Sequence, residues 1–181
     1  MGVTAAVVGR TIITPSKPAA RPALEEKRGL VPFTDKAAGF DISIPASWRR
    51  LPGGGEVRLV AGRGSASILV RTASIGFRIG PENIRDARKL TDSLVRASRQ
   101  AELLRQPKRT LLGGLPGYAY LYTFRDTSGR LGAHVHYFLF RDDTMITLVF
   151  QALPADRLTA VAPLFDRIAD TFTARAPSRR G

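Results

Sequence analysis

"FTDKAAGFDISIPASWRRL", residues 33 to 51, is the stretch on which the fold turns. Phe40, Ile42 and Ile44 fall at every second position with Asp41 and Ser43 between them, the period of a strand that buries one face. Pro45 closes the run because it has no N–H to give to a ladder. Trp48, the only tryptophan of the chain, follows three residues later. A large apolar ring at that point predicts a plug folded back over the strand end, rather than an exposed platform for carbohydrate or a partner.

On the C-terminal side the same alternation continues. Three glycines at 53–55 make a loop, "EVRLV" reads as a strand, "GRGS" as a tight turn and "ASILVRTAS" as its antiparallel partner. From Pro81 the period changes. Ile84, Ala87, Leu90, Leu94, Ala97, Ala101 and Leu104 recur at three and four, which predicts one amphipathic helix ending near Pro107. "RTLLGGLPGYAYLYTFRD" then predicts a strand, a glycine-proline turn, and a strand with Tyr118, Tyr120, Tyr122 and Phe124 on one face. "LGAHVHYFLFR" runs back, "DDT" reads as another turn, and "MITLVFQAL" as the last strand. These late strands are apolar on both faces, so helices are expected to cover the sheet front and back. A final helix is expected in "PADRLTAVAPLFDRIADTF", with Val161, Leu164, Phe165, Ile168 and Phe172 as its buried stripe. Pro163 fits if Thr159 caps that helix and the proline falls in its first turn.

The chain has 181 residues, 44% of them hydrophobic and 24% charged, which suits one domain with a sizeable core. Its net charge is +13. Such an excess favours an anionic partner, including an anionic membrane surface. Residues 1–32 hold five basic and two acidic side chains, and residues 175–181 hold three arginines. The expected organisation is a tether over 1–32, a folded domain over 33–174 and a basic tail over 175–181. No cysteine is present, which removes disulfides, thiolate metal sites, thiol nucleophiles and a lipid-modified cysteine. No apolar run is long enough to span a bilayer. The opening "MGVTAAVVGR", followed by a Pro-, Ala- and Arg-rich stretch, reads as the remnant of a membrane anchor with a flanking charge and a flexible tether, native sequence lying upstream of Met1.

Chemistry-bearing patterns are sparse. His134 and His136 project from one strand face, a spacing that metal sites use, and are the candidate metal ligands. A stable site wants a third or fourth ligand, and no acidic residue stands at a telling spacing. No metal and no cofactor is therefore expected. "GRGSAS" lacks the Lys-Ser/Thr and the following helix of a phosphate loop, and no G-x-S-x-G elbow exists. Asp142 and Asp143 are adjacent, which on a turn points them apart, so paired-carboxylate hydrolysis is unsupported. No catalytic residue is assigned, and the chain is expected not to be an enzyme. On the long helix, Arg85, Arg88, Lys89, Arg96 and Arg99 fall on roughly one side, and Arg85, Lys89, Arg96 and Arg99 form a candidate anion-binding face. Glu82, Asp86, Asp92 and Glu102 stand three or four residues from these bases, so ion pairs on a solvated face explain part of it. Nucleic-acid binding would add a recognisable module or exposed aromatics between the bases, and neither is present.

The order of these elements resembles the PsbP-like superfamily, which takes in LpqN-type lipoproteins and DcrB-like proteins. The likeness covers residues 33–174 and rests on "GF-x-I-x-x-P-x-x-W" (Gly39, Phe40, Ile42, Ile44, Pro45 and Trp48). It also rests on "G-x-x-G-Y", here Gly114, Pro116, Gly117 and Tyr118. The resemblance implies an α+β fold, an antiparallel sheet of about six to seven strands sandwiched between helices, with Phe40, Pro45, Trp48 and Gly117 as structural residues. The chain departs from the lipoproteins in lacking the lipobox cysteine. Since one fold serves unrelated roles, the resemblance implies function only broadly. The expectation is a non-enzymatic, extracytoplasmic, membrane-tethered accessory domain, holding a protein partner or apolar ligand at its sheet edge or in a groove between sheet and helix. The alternative is a cytoplasmic chaperone-like module that shields apolar segments of a client.

Overall fold

Alternating apolar and polar residues build two antiparallel sheets in the computed structural model, which describes residues 29–175 apart from 63, 81 and 99. The strands are β1 (Leu30–Asp35), β2 (Phe40–Pro45), β3 (Arg49–Leu51), β4 (Glu56–Val60) and β5 (Ala66–Ile79). Helix α1 (Ile84–Ala97) comes next, then β6 (Glu102–Leu103), β7 (Lys108–Leu112), β8 (Leu115–Arg125) and β9 (Leu131–Ala152). Helix α2 (Leu158–Ala169) and β10 (Thr173–Ala174) complete the order. The large sheet runs β3-β4-β5-β9-β8-β6, with β7 also paired to β8, and the small one runs β1-β2-β10. This seven-stranded sheet with its two helices is the α+β architecture expected.

Several elements differ from expectation, each for a physical reason. Strand β1 starts at Leu30, so the small sheet reaches into the stretch expected to be a tether. Pro32 hides this strand in the sequence, yet β1 is an edge strand, where a missing donor is tolerated. Arg175, assigned to the tail, binds instead to the small sheet: its N–H bonds the Gly39 carbonyl at 2.8 Å and its guanidinium grips Asp41. That grip, with a bond from Thr34, holds the Asp41 carboxyl below its usual range. The rest of the expected tether (1–28) and of the tail (176–181) lies outside the described residues.

Helix α1 stops at Ala97, well before Pro107, because Ser98 turns extended and Gln100 takes a positive φ of 62°. Its buried edge is Ile84, Ala87, Thr91 and Val95, whereas Leu94 is 40% exposed. Ala101 still packs on the α1-side core, and the Leu104 N–H bonds Leu121, so apolar spacing persists past the helix end. "DDT" is the turn expected, although β9 runs through it without a break: Asp142 has a φ of 53°, the Tyr137 and Phe150 ring centres lie 6.0 Å apart and His134 lies 3.1 Å from Gln151, so the two lengths of β9 fold back on each other. Asp142 also pairs with Ile79, and Thr144 with Ser74, so β5 bulges out between them. In α2, Pro163 is the sixth residue rather than a first-turn residue, and Arg157, not Thr159, precedes the helix. The β7–β8 turn is Gly113-Gly114, both with positive φ, leaving Pro116 inside the strand.

The turn at Asp142 decides where the two cores sit. Before it, odd residues of β9 such as Val135, Tyr137 and Leu139 face α2; after it, even residues Ile146, Leu148 and Phe150 do. Phe40, Ile42, Ile44, Trp48 and Phe172 close that larger core, with Trp48 6% exposed at the end of β2. On the opposite face, Tyr118, Tyr120, Tyr122, Phe138 and Phe140 meet Ile84, Ala87 and Val95 of α1. Gly117 sits where β8 crosses Phe138, and a Cβ there would come within 2.1 Å of the Phe138 carbonyl oxygen.

Candidate functional site

The face under α1 carries the β8 tyrosines and the two histidines that the sequence singled out. Each tyrosine of β8 buries its ring and finds a partner for its hydroxyl. Tyr118 donates to the Ile84 carbonyl at 3.2 Å, and Tyr120 donates to Asp92 at 2.7 Å while meeting the Thr91 hydroxyl at 2.7 Å. Asp92 also receives Arg88 at 2.8 Å, and the Arg88 guanidinium lies 5.6 Å from the centre of the Tyr118 ring. Arg88 therefore turns inward and does not belong to an exposed stripe. Burial pushes the Tyr120 hydroxyl well above its usual range. Asp92 is lowered, because its bonds from Tyr120 and Arg88 outweigh the desolvation that alone would raise it.

His134 and His136 stand on this face, as their spacing requires, opposite Tyr122 and Tyr120. The Tyr122 oxygen lies 2.9 Å from His136 Nδ1 and 3.2 Å from His134 Nδ1, and His134 Nε2 lies 3.1 Å from Gln151 Oε1. One arrangement of protons satisfies all three contacts. His134 donates from Nε2 to Gln151 and accepts the Tyr122 proton at Nδ1, and His136 donates from Nδ1 to the Tyr122 oxygen. His136 Nε2 is then a bare lone pair, and it is buried without a partner. Desolvation pushes His134 down to about 4 and, with the neighbouring His134, His136 down to about 3. Both rings are neutral at pH 7. Among the described residues, no group of three or more His, Cys, Asp or Glu is placed to hold a metal ion.

The candidate anion-binding residues Arg85, Lys89 and Arg96 are exposed on the outer side of α1; Arg99 lies outside the described residues. Lys89 stands 3.6 Å from Asp86. Asp142 and Asp143 are both exposed, and Asp142 pairs with Arg78 at 3.5 Å.

Sequence reasoning missed the other half of this face. Strand register carries it past the end of α1, onto Arg49 and Leu51 of β3, Arg58 and Val60 of β4, and Ser67, Leu69 and Arg71 of β5. Val149 and Gln151 of β9 continue it, opposite Leu69 and Ser67. A cavity of about 270 Å³ lies here, its floor formed by Leu51, Val60, Leu69 and Val149, with Arg58 on its rim and Gln151 and His134 at one end. Val60 and Val149 are buried, whereas Leu51 and Leu69 are only half-buried. A second opening of about 370 Å³, on the opposite face, is bounded by the Asp35–Arg50 ion pair and the glycine loop.

This half-roofed sheet, with α1 on one face and α2 and the small sheet on the other, matches solved structures closely enough to classify it. LpqN of Mycobacterium tuberculosis, described as involved in cell envelope biogenesis, superposes with a TM-score of 0.60 at 14% identity, over 88% of this chain and 100% of that one. The solution structure of cyanobacterial PsbP from Synechocystis sp. PCC 6803 gives 0.59 at 17% identity, over 89% and 99%. The fold is PsbP-like. The Saccharomyces cerevisiae Ran-binding protein Mog1p shares this PsbP-like arrangement at a TM-score of 0.53 and 11% identity, over 81% and 96%. A Bacteroides thetaiotaomicron structure scores 0.52 at 16% identity, and the chain spans 48% of its length. No family model and no curated protein matches the chain. Among the described residues, no helix is long and apolar enough to cross a membrane.

Proposed function

We propose that the chain is a non-enzymatic binding domain that holds a protein partner on its large sheet. One observation carries this reading. Helix α1 roofs only the β8 half of its face and leaves Leu51 and Leu69 half-buried around an open groove. Apolar side chains left beside an unroofed sheet are what a partner would cover. The polar groups on this face support the same reading, because the Tyr122–His134–His136–Gln151 chain is neutral at pH 7 and engaged with itself. LpqN, involved in cell envelope biogenesis, and the Ran-binding Mog1p supply precedents for the fold in an envelope and a binding role. Placement outside the membrane on an N-terminal tether is part of the proposal, supported by the "VTAAVVGR" run and the Pro-, Ala- and Arg-rich stretch behind it.

Chemical crosslinking in the native host, followed by purification and mass spectrometry, tests the binding role. A reproducible adduct with one protein supports it; a chain that stays unadducted and turns over a substrate overturns it. Cell fractionation with protease accessibility on intact cells tests the location, and a chain found only in the soluble interior removes the tether.

A further inference from the structure

We propose that the open half of the α1 face, between β3 and β9, is a docking groove for an acidic amphipathic helix of a partner protein. This deepens the binding-domain reading and rests on it. The groove is lined along one side of four neighbouring strands, and its charges are one-sided. Among the described residues, Arg49, Arg58 and Arg71 share this half of the face with one acid, Glu56, which stands opposite Arg71 in the register and which Arg58 engages at 2.9 Å. Among the described residues, Arg49 and Arg71 have no ion pair, so they are free to meet carboxylates from outside.

Size and shape select a helix over other occupants. The cavity of about 270 Å³ falls below the ~300–1,000 Å³ usual for small-molecule sites. Its apolar floor is recessed beside Arg58, where a flat lipid surface cannot reach and the projecting side chains of a helix can. Addition of a strand at the sheet edge is disfavoured: β3 has three residues, two of them arginines, and β7 presents exposed Lys108 and Arg109. Four strands span roughly 15 Å, the length of a helix of about ten residues with anchors at i, i+3 or i+4, and i+7. α1 already uses that geometry on the adjacent half of the sheet, through Ile84, Ala87, Thr91 and Val95.

Charge excludes two other occupants. Residues 1–32 hold five bases against two acids, and a second copy would bring another +13. Both would be repelled by Arg49, Arg58 and Arg71.

The test places a photo-crosslinking phenylalanine analogue at Leu69 in the groove and, separately, at Leu111, which is 72% exposed on the far edge, in the full chain in its native host. The expected adduct from Leu69 maps to a helical, Asp- or Glu-flanked segment of one protein. Its yield falls about tenfold in Arg49→Glu/Arg71→Glu, and less in Arg49→Gln/Arg71→Gln, with the circular dichroism and melting of both variants unchanged. Adducts to lipid, to residues 1–28, to a second copy or to a basic segment overturn the proposal, as does a yield insensitive to charge reversal. Adducts from Leu111 alone overturn this groove and leave the binding-domain reading standing. No adduct from either position overturns both.

Discussion

Lowering the pH from 8 to 5 should destabilise this protein through two side chains. His134 and His136 are held neutral in the fold, at about 4 and about 3, while an unfolded imidazole titrates near 6.5. Because the folded-state values are depressed, their stability contribution is complete above about 6.5 and is lost as the pH falls toward the folded values. At pH 5 the unfolded chain holds nearly two protons on these rings and the native chain almost none. Each ring then costs about 2 kcal/mol, and the pair about 4 kcal/mol, against a typical total of about 5–15 kcal/mol. The carboxylates do not mask this slope. Asp41, Asp92 and Asp126 all lie below their ordinary value of 3.8, so their stabilisation is lost only in more acid solution. Trp48 provides the probe, since the only tryptophan is buried in the α2-side core. Urea unfolding followed by its emission at pH 8, 7, 6 and 5 should show a falling midpoint with a constant m-value. His136→Gln should remove about half of the pH dependence, and His134→Gln/His136→Gln nearly all of it. A stability that is flat from pH 8 to pH 5 in the unsubstituted chain would refute the reasoning.

Other substitutions probe the packing. Gly117→Ala would drive a Cβ into the Phe138 carbonyl, and thermal melts should show a loss of about 1–3 kcal/mol or more. Tyr120→Phe leaves Asp92 and Thr91 short of a partner on the inner side of α1, an expected loss of about 1–3 kcal/mol by urea unfolding, while Tyr120→Phe with Asp92→Leu should recover part of it. Leu148→Ala empties a fully enclosed site between β9 and α2 and should cost about 2–5 kcal/mol. Arg85→Ala, by contrast, alters an exposed helix position and should change stability by no more than about 0.5 kcal/mol in the same assay.

Period-two alternation made β2, the β4–β5 hairpin and the tyrosine face of β8 readable before any coordinates, because each buries every second residue. The helices were readable in existence and less so in extent. Thr91 is the clearest case: a polar residue on the buried edge of α1 is paid for by Tyr120, a partner 29 residues away that no local pattern announces. Pro32 concealed β1 for the opposite reason, since a residue unfavourable in a central strand is harmless at an edge. Asp142 and Asp143 read as a turn from residue type, and the chain folds back there, bringing Gln151 to His134. The same-face placement of His134 and His136 followed from spacing, but their burial against Tyr122 and Gln151 did not. The groove was less legible still, because β3, β4, β5 and β9 each give it no more than three side chains. The one local sign was "SILV" at 67–70, where Leu69 is apolar on the parity opposite to Ile68 and Val70.

Strand β9 pairs with β8 through Leu139 and with β5 from Asp142 onward, so one backbone belongs to both halves of the large sheet. The two lengths fold back on each other at Asp142, with His134 3.1 Å from Gln151, so each is the other's inner neighbour. Melting the length beside β8 strips the length beside β5 of that neighbour, and the reverse. Amide hydrogens along β9 should therefore exchange only through global opening, the slowest in the molecule, and at nearly one common rate. A partner seated on the open groove would then tighten the tyrosine-lined half as well, through the shared strand.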